Sequence, residues 1–493
     1  MVSSSPTCVD LFAGCGGLSL GLKQAGFQIK LAVEKSEMAA ETYYHNLIRP
    51  IQDADEWRNY YENRNLEDQA ESGLVVRELS DVLRSKAILS RLRESEIDVV
   101  AGGPPCQGFS SAGNRNPSDE RNKLPWQFLE FIEKVKPKIV IIENVAGMQF
   151  DFLKHGTKSP FEDLWTALSA TDPGYQVQPM VLNAKHFGVP QHRPRVFLVG
   201  LREDLVGKYS LGITAKIWDS SIDSPQVAVL GDRPLLAPKR THFDNNRNEV
   251  GPGYFTVKDA ISDLMTENYS ETSSLSEFAR EMREDTSYLK AVVFDPQANK
   301  RPNNHVFRQH SDLVMERFSL YQFLRDANIH RSVLAIPKKT GLSEHAQRKL
   351  LHAAIANVKY PAKDGNGSIL ANAQPTLMHL IRKLATKKHS QRALFWGRPA
   401  PTVVSMPDDF VHPVQPRIPT VRELARFQSF PDAFEFRSKE TTGAHRRRFQ
   451  VPQYSQVGNA VPPRLAFALG YHLREVMEML QQKQGLTRKP DVA

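Results

Sequence analysis

Short runs of β-branched and apolar residues alternate with longer stretches in which apolar positions recur at helical spacing over the first part of the chain. Strands are expected at Thr7 to Phe12, Gln28 to Val33, Ile97 to Ala101, Lys138 to Ile142 and Val196 to Gly200. Between them, helices are expected at Leu18 to Ala25, stopping at Gly26, at Met38 to Asn46, and at Pro125 to Lys136 with a broad apolar face. This alternation predicts an α/β domain. From about Leu201 to Arg398 the rhythm is lost. That segment is rich in Asn, Pro, His, Arg and Lys with scattered aromatics, and reads as a separate, largely irregular domain with loop-borne contacts. Pattern returns in a short helix after Thr420, its expected cap, and in an apolar helix from Leu465 to Leu480, after which a disordered tail is expected.

Length and charge narrow the classes. A chain of 493 residues accommodates two or three domains. Its net charge of +9 suggests a polyanionic partner. The three cysteines, Cys8, Cys15 and Cys106, form neither a disulfide framework nor a tetrahedral zinc site, which fits a reducing cytoplasm. No signal peptide and no bilayer-spanning run is visible, so a soluble intracellular protein without a membrane partner is expected.

Candidate chemistry gathers where the strands stop, as it does in open α/β sheets. After Ala101, Gly102-Gly103-Pro104-Pro105 ends a strand abruptly and leads into Cys106, which is either a nucleophile or a small buried hydrophobe. Ala13-Gly14-Cys15-Gly16-Gly17 follows the first strand and precedes a helix, the plan of a nucleotide-type cofactor loop. Glu34 follows the second strand, about 20 residues on, and suits a ribose diol. Leu79 to Val82 resembles a strand end whose Asp81 could touch an adenine amine, though a helix cap by Ser80 or Asp81 reads equally well. Glu143 ends the clearest buried strand and is costly there unless hydrogen-bonded or functional. Gln191, Arg193 and Arg195 alternate, and so share one side of an extended segment. The polar stretch 47–73 reads as a surface excursion and the loop 107–123 as a candidate lid. Basic stretches at 300–305 and 387–389 are either phosphate contacts or solvated faces.

Together these segments resemble the cytosine-C5 DNA methyltransferases, most nearly the bacterial restriction–modification type. Asp10-Leu11-Phe12-Ala13-Gly14-Cys15-Gly16-Gly17 resembles the family's cofactor loop, Pro105-Cys106-Gln107 its nucleophile motif and Glu143-Asn144-Val145 its second catalytic motif. Gln191-His192-Arg193-Pro194-Arg195 resembles the Gln-x-Arg-x-Arg motif. Arg422 to Arg426 with Phe430-Pro431-Asp432 resembles the motif closing the recognition domain, and Gln456 to Pro462 the last motif. The resemblance implies a Rossmann-like S-adenosylmethionine-dependent methyltransferase domain with an inserted, largely irregular target-recognition domain. Residues 1–203 and 452–493 would form the catalytic domain. Residues 204–451 would form the small domain, with recognition over about 204–398 and the closing motif over about 400–434. Two departures stand out: the 47–73 insertion is long, and Lys35 stands where many relatives stack an aromatic on adenine.

The resemblance further implies the chemistry. Cys106 would add to C6 of a cytosine flipped out of duplex DNA, Glu143 would act at N3 if protonated, and Arg195 would hold O2, with Arg193 or Arg195 favouring the thiolate. The methyl donor would be S-adenosylmethionine, with no metal. It would be bound by Asp10, Phe12, Gly14, Gly16, Gly17, Glu34, Asp81, Pro105, Leu124, Asn459 and Ala460. The partner would be double-stranded DNA, with a separate cognate restriction endonuclease. The protein is expected to act as a monomer in a bacterial cytoplasm, associated with the nucleoid. Rival readings are an RNA-directed C5 methyltransferase, a non-catalytic DNA-binding regulator on the same scaffold, and a cysteine hydrolase pairing Cys106 with His186 or His192.

Overall fold

The computed structural model describes residues 5–105, 123–149, 160–206, 216–221, 233–244, 251–269, 275–284, 291–292, 301–388, 390–443, 446 and 449–487. Its centre is an eight-stranded sheet, built from β1 (Thr7–Leu11), β2 (Gln28–Val33), β3 (Leu74–Val75), β4 (Val99–Gly102), β5 (Ile139–Val145), β6 (Tyr175–Asn183), β8 (Pro194–Arg202) and β9 (Trp218–Asp219). The strand order is β3-β2-β1-β4-β5-β8-β6-β9. The first five run parallel, and β8 lies antiparallel to both β5 and β6. The short β7 (Gln191–His192) pairs instead with Ala400–Pro401, from the far end of the inserted segment.

Strand residues divide between the two faces with period two, as pleating requires. Val99, Ala101, Ile139 and Ile141 enter one core, and Val100, Val140 and Ile142 the other. Both faces are covered, which explains why these strands are apolar throughout. Helix α1 (Gly17–Gln24) lies on one face against the final helix, Pro463–Thr487. Their backbones meet so closely that a Cβ on Gly21 would sit 2.3 Å from the Pro463 carbonyl oxygen. That final helix runs past Gln481 to Thr487 rather than giving way to a tail there. The chain's end thus returns to its beginning. No helix among the described residues is long and apolar enough to cross a membrane.

Three stretches differ from expectation. Residues 47–73 are no mere surface excursion: helices α3 (Ala54–Asn63) and α4 (Leu66–Glu71) follow α2 (Glu37–Leu47), and Trp57 and Tyr60 are buried against Tyr44. The Tyr60 hydroxyl donates to the Leu74 carbonyl at 2.6 Å, tying the insertion to β3. The aromatic content of that polar stretch was its core signal. Residues 79–82 are not a strand end either. The strand closes at Val75 and α5 (Leu79–Arg84) follows, with Glu78 rather than Ser80 or Asp81 at the N-cap position. Finally, the inserted segment is more ordered than its texture suggested. Helices Asp312–Asp326, Glu344–Ala354 and Gln374–Lys383 enclose their own core of Phe318, Leu320, Leu351, Leu377 and Ile381. Their apolar positions recur at helical spacing beneath a heavily charged exterior.

Candidate active site at the strand ends

The carboxyl ends of β1, β2, β4 and β5 lie side by side: Leu11 pairs with Val33 and with Gly102, and Gly102 pairs with Ile142. One residue past the last pair stands Glu143, and across the sheet its neighbour strand carries Arg195 opposite Val145. The Arg195 Nε lies 3.0 Å from Glu143 Oε1, and both side chains are about nine-tenths buried. Burial pulls the Arg195 guanidinium down from its usual range, and Glu143 opposes that shift. A Cβ on Gly103 would lie 2.9 Å from Glu143 Oε2, so the backbone here passes directly over the end of this carboxylate. Asn144 Nδ2 donates to the Pro104 carbonyl at 3.0 Å. Glu143, Arg195, Gly103 and Pro104 thus converge two or three residues before Cys106. Cys106 and residues 107–122 of the expected lid lie outside the described residues. The role of Asn144 was missed on sequence, although it sits beside Glu143 within a quoted motif.

Gln191, Arg193 and Arg195 do share a side, but they do different things. Gln191 accepts from the Val403 N–H at 2.8 Å and donates to the Phe427 carbonyl at 3.0 Å. Arg193 is buried and donates to the carbonyls of Val403, Gly458 and Ala460 at 2.9 to 3.1 Å. The expected catalytic guanidinium is a tie between β7 and the chain's last motif. Ala460 meets it through its carbonyl, and Asn459 beside it is exposed at the helix end. The histidines of the hydrolase reading are engaged elsewhere. His186 Nδ1 lies 2.8 Å from Ser220 Oγ, and burial pushes its pKa down to about 2. His192 Nδ1 lies 3.0 Å from Asn183 Nδ2.

The glycine loop adopts the conformation its residues permit. Phe12, Gly14 and Gly16 all have positive φ, at 58°, 57° and 96°. An added Cβ on Gly14 would meet nothing within 4 Å, so the loop faces open space. Gly17 abuts the Val461 carbonyl, where a Cβ would come within 2.3 Å. Glu34 accepts from the N–H groups of Gly14 (2.9 Å) and Ser36 (2.7 Å); burial raises its pKa while those two donors hold it down. No side chain caps the first turn of α1. Asp10 faces inward: it accepts from Ser19 Oγ at 2.6 Å, Tyr43 donates to that same hydroxyl, and the Asp10 Oδ1 is buried without a hydrogen-bond partner among the described residues. Burial pushes its pKa up to about 7. Asp81 is paired with Arg84 on the first turn of α5. Pro105 is half-buried at the loop's start, and Leu124 opens helix α6 (Leu124–Val135). No group of three metal-ligating side chains occurs among the described residues.

Open space over Gly14 and a carboxylate held at the end of β2 fit a nucleoside with a ribose diol. Comparison with known proteins agrees. Residues 6–475 match the model of the C-5 cytosine-specific DNA methylases. The chain is 30% identical to the type II methyltransferase M.DdeI of Desulfomicrobium norvegicum, over 94% of this chain and 86% of that one. It is 29% identical to the type II methyltransferase M.AgeI of Thalassovita gelatinovora, over 94% and 97%. In fold it is similar to a crystal structure described as a DNA modification methyltransferase encoded within an E. coli prophage (TM-score 0.55, 21% identity, 96% and 100% covered).

Proposed function

The chain belongs to the C-5 cytosine-specific DNA methylases, S-adenosylmethionine-dependent enzymes that methylate cytosine C5 in DNA, and from that premise we propose which residues run the reaction. Cys106 is the nucleophile, and Glu143 and Arg195 are the groups that hold and polarise the target ring. The observation that carries this reading is the meeting of Glu143 and Arg195 beneath the Gly103–Pro104 backbone that delivers Cys106.

Cytosine C5 is a poor nucleophile until a thiolate adds at C6 and makes C5 enamine-like. Cys106 forms that C6–S bond. Addition pushes charge toward N3 and O2, where donors stabilise the transition state most. Arg195 supplies N–H donors to O2, and Glu143, taking a proton in the reactive complex, supplies an O–H donor to N3. S-adenosylmethionine, when bound, supplies an electrophilic methyl group. The Gly14–Gly17 loop, Glu34 and the backbone around Asn459 and Ala460 would hold it. Water then takes the C5 proton, the C5–C6 double bond re-forms, and the C6–S bond breaks to release the Cys106 thiolate. Arg193 acts as a positioning residue, fixing the last motif to β7. None of this is possible within a stacked duplex, so the base is extruded at a cost of a few kcal/mol.

Type II relatives at about 30% identity support a modification methyltransferase that protects DNA against a cognate nuclease. Bisulfite sequencing of host DNA expressing the chain tests the proposal. We expect methylated cytosines within one short motif, absent with Cys106→Ala. A pattern that persists in that variant refutes the assignment of Cys106.

A further inference from the structure

Resting on the DNA methyltransferase reading and deepening it, we propose that the helical unit 331–388 of the inserted segment holds the duplex that flanks the target base, through exposed lysines that meet backbone phosphates and read no sequence. The distribution of charge carries the inference. Residues 331–388 hold eleven Lys or Arg against two acids, Glu344 and Asp364. That excess of nine equals the net charge of the whole chain, +9. Removing these residues from the chain's 64 Lys and Arg and 55 Asp and Glu leaves 53 of each, so the rest of the molecule is neutral on balance.

The unit is a folded surface, not a basic tail. The tight helix Arg331–Lys338, helices Glu344–Ala354 and Gln374–Lys383, and the paired strands Ala362–Lys363 and Ile369–Ala371 share a core of Val333, Leu334, Leu351, Ile355, Leu377 and Ile381. Helix Glu344–Ala354 buries only Leu351 and leaves Arg348, Lys349 and His352 exposed. Lys338, Lys339, Lys349, Lys359, Lys363 and Lys387 are all exposed, and none of the six makes an ion pair among the described residues. Arginines of the same unit are engaged: Arg348 and Arg382 share Glu344, at 3.1 and 3.4 Å. The unit also stands near the site. Ala400–Pro401, twelve residues after Lys388, pairs with Gln191–His192, and Arg195 follows three residues on. Twelve residues reach at most roughly 40 Å, little more than one turn of duplex.

Charge type selects the partner and the mode. Unpaired amines on one small unit repel one another, and a polyanion relieves that repulsion. Lysine is a compact point charge that meets a phosphate from any direction, whereas reading a base edge bidentately favours the planar fork of arginine or an amide. Protein interfaces are depleted of lysine. A membrane face would need an apolar stripe, and the large hydrophobic side chains this unit exposes are only Leu350 and Ile369. Duplex phosphates are the partner that fits.

The full-length triple variant Lys338→Gln, Lys339→Gln, Lys349→Gln, beside the matching Lys→Arg triple, tests the proposal by fluorescence anisotropy. The probe is a labelled random-sequence duplex, titrated from about 50 to about 200 mM salt. The Gln triple should flatten the slope of log K against log salt by about 2.7, about 0.9 for each of three phosphate contacts, and the Arg triple should keep it. Single-turnover methylation at saturating duplex should stay at the wild-type rate in both, while KM for DNA rises in the Gln triple alone, because the lost contacts hold substrate and transition state alike. If the wild type binds and methylates duplex DNA while the Gln triple matches it in affinity and slope, the lysine proposal falls alone; lysines that serve an acidic protein would give that same result. Equal flattening by Lys30→Gln, Lys86→Gln, Lys134→Gln, on the central sheet and its helices, would overturn it too, since the effect would then belong to overall charge. If the wild type neither binds nor methylates duplex DNA, the underlying reading falls first.

Discussion

Two of the places where arginines meet carboxylates in this molecule are built to opposite specifications. At the end of β5, Glu143 and Arg195 make a single ion pair at the rim of the sheet, with one carboxylate oxygen facing the Gly103 backbone. Around the helix Val421–Phe427 the groups are sealed. Arg422 and Arg426 are fully buried, and Glu423 with them. Arg426 bonds both oxygens of Asp432 and of Asp263 together with the Ala260 carbonyl. Arg422 donates to the carbonyls of Asn303, Pro431 and Phe434. Arg417 grips Glu423 with two nitrogens at 2.6 and 2.7 Å. Burial alone would raise the Glu423 pKa, yet Arg417 and its neighbours bring it down to about 2. A network in which every guanidinium nitrogen of Arg417, Arg422 and Arg426 meets an oxygen holds segments together. A lone pair at a strand end can exchange its partner for a substrate.

Substitutions should separate the two by readout. Glu143→Gln keeps the shape of the side chain but cannot pass a proton to the ring. The largest effect expected is a fall in kcat of about a thousandfold, within the range of a lost acid–base or charge-stabilising group, with thermal stability almost unchanged. Single-turnover methylation and a melting curve on the same preparation check both halves; a melting point that falls with the rate would move Glu143 into the scaffold. Arg426→Leu should do the reverse. It leaves Asp432 buried without its main partner and should cost about 3–5 kcal/mol of unfolding free energy. Chemical denaturation reads this directly. A stable variant that has lost methylation would mean that the sealed network belongs to the reaction.

That contrast was only half legible in the sequence. The strand ends could be read because parallel strands buried on both faces are nearly uniform apolar runs, and a carboxylate at the end of one stands out. Glu34 and Glu143 were found that way, and Arg195 through alternation. Arg193 could not be told from Arg195, because the same alternation holds whether a guanidinium meets a substrate or three carbonyls contributed by residues more than 200 positions away. The strand end expected at 79–82 lies elsewhere because β3 is only two residues long and its partner contacts, not its composition, define it. The sealed network was invisible for a related reason. Arg422 and Arg426 stand on a short helix whose sequence does not show that Asp263, Asn303 and Asp432 close over them. The inserted helices were hidden beneath abundant charge and proline, although Leu377, Leu380 and Ile381 carry a short helical stripe.

Asp10 lies between the two designs and sharpens the comparison. Its carboxyl is sealed like Glu423, but no cation faces it. Burial raises its pKa to about 7, the hydrogen bond from Ser19 pulling the other way and nearby Glu34 adding to the rise. Unfolded, the same group titrates near about 3.9. The folded state therefore holds its proton through that interval, and the stability this group contributes is full below about pH 4 and lost as pH rises toward 7. The expected slope is at most about 1.4 kcal/mol per pH unit for a single proton. Asp10→Asn keeps the hydrogen bond to Ser19 available and removes the titration, so urea midpoints across that interval should flatten relative to wild type. If the two chains lose stability in parallel, Asp10 is ionised throughout and has a counter-charge. It would then belong with the sealed pairs, and the cofactor loop would rest on a charged foundation rather than on a protonated one.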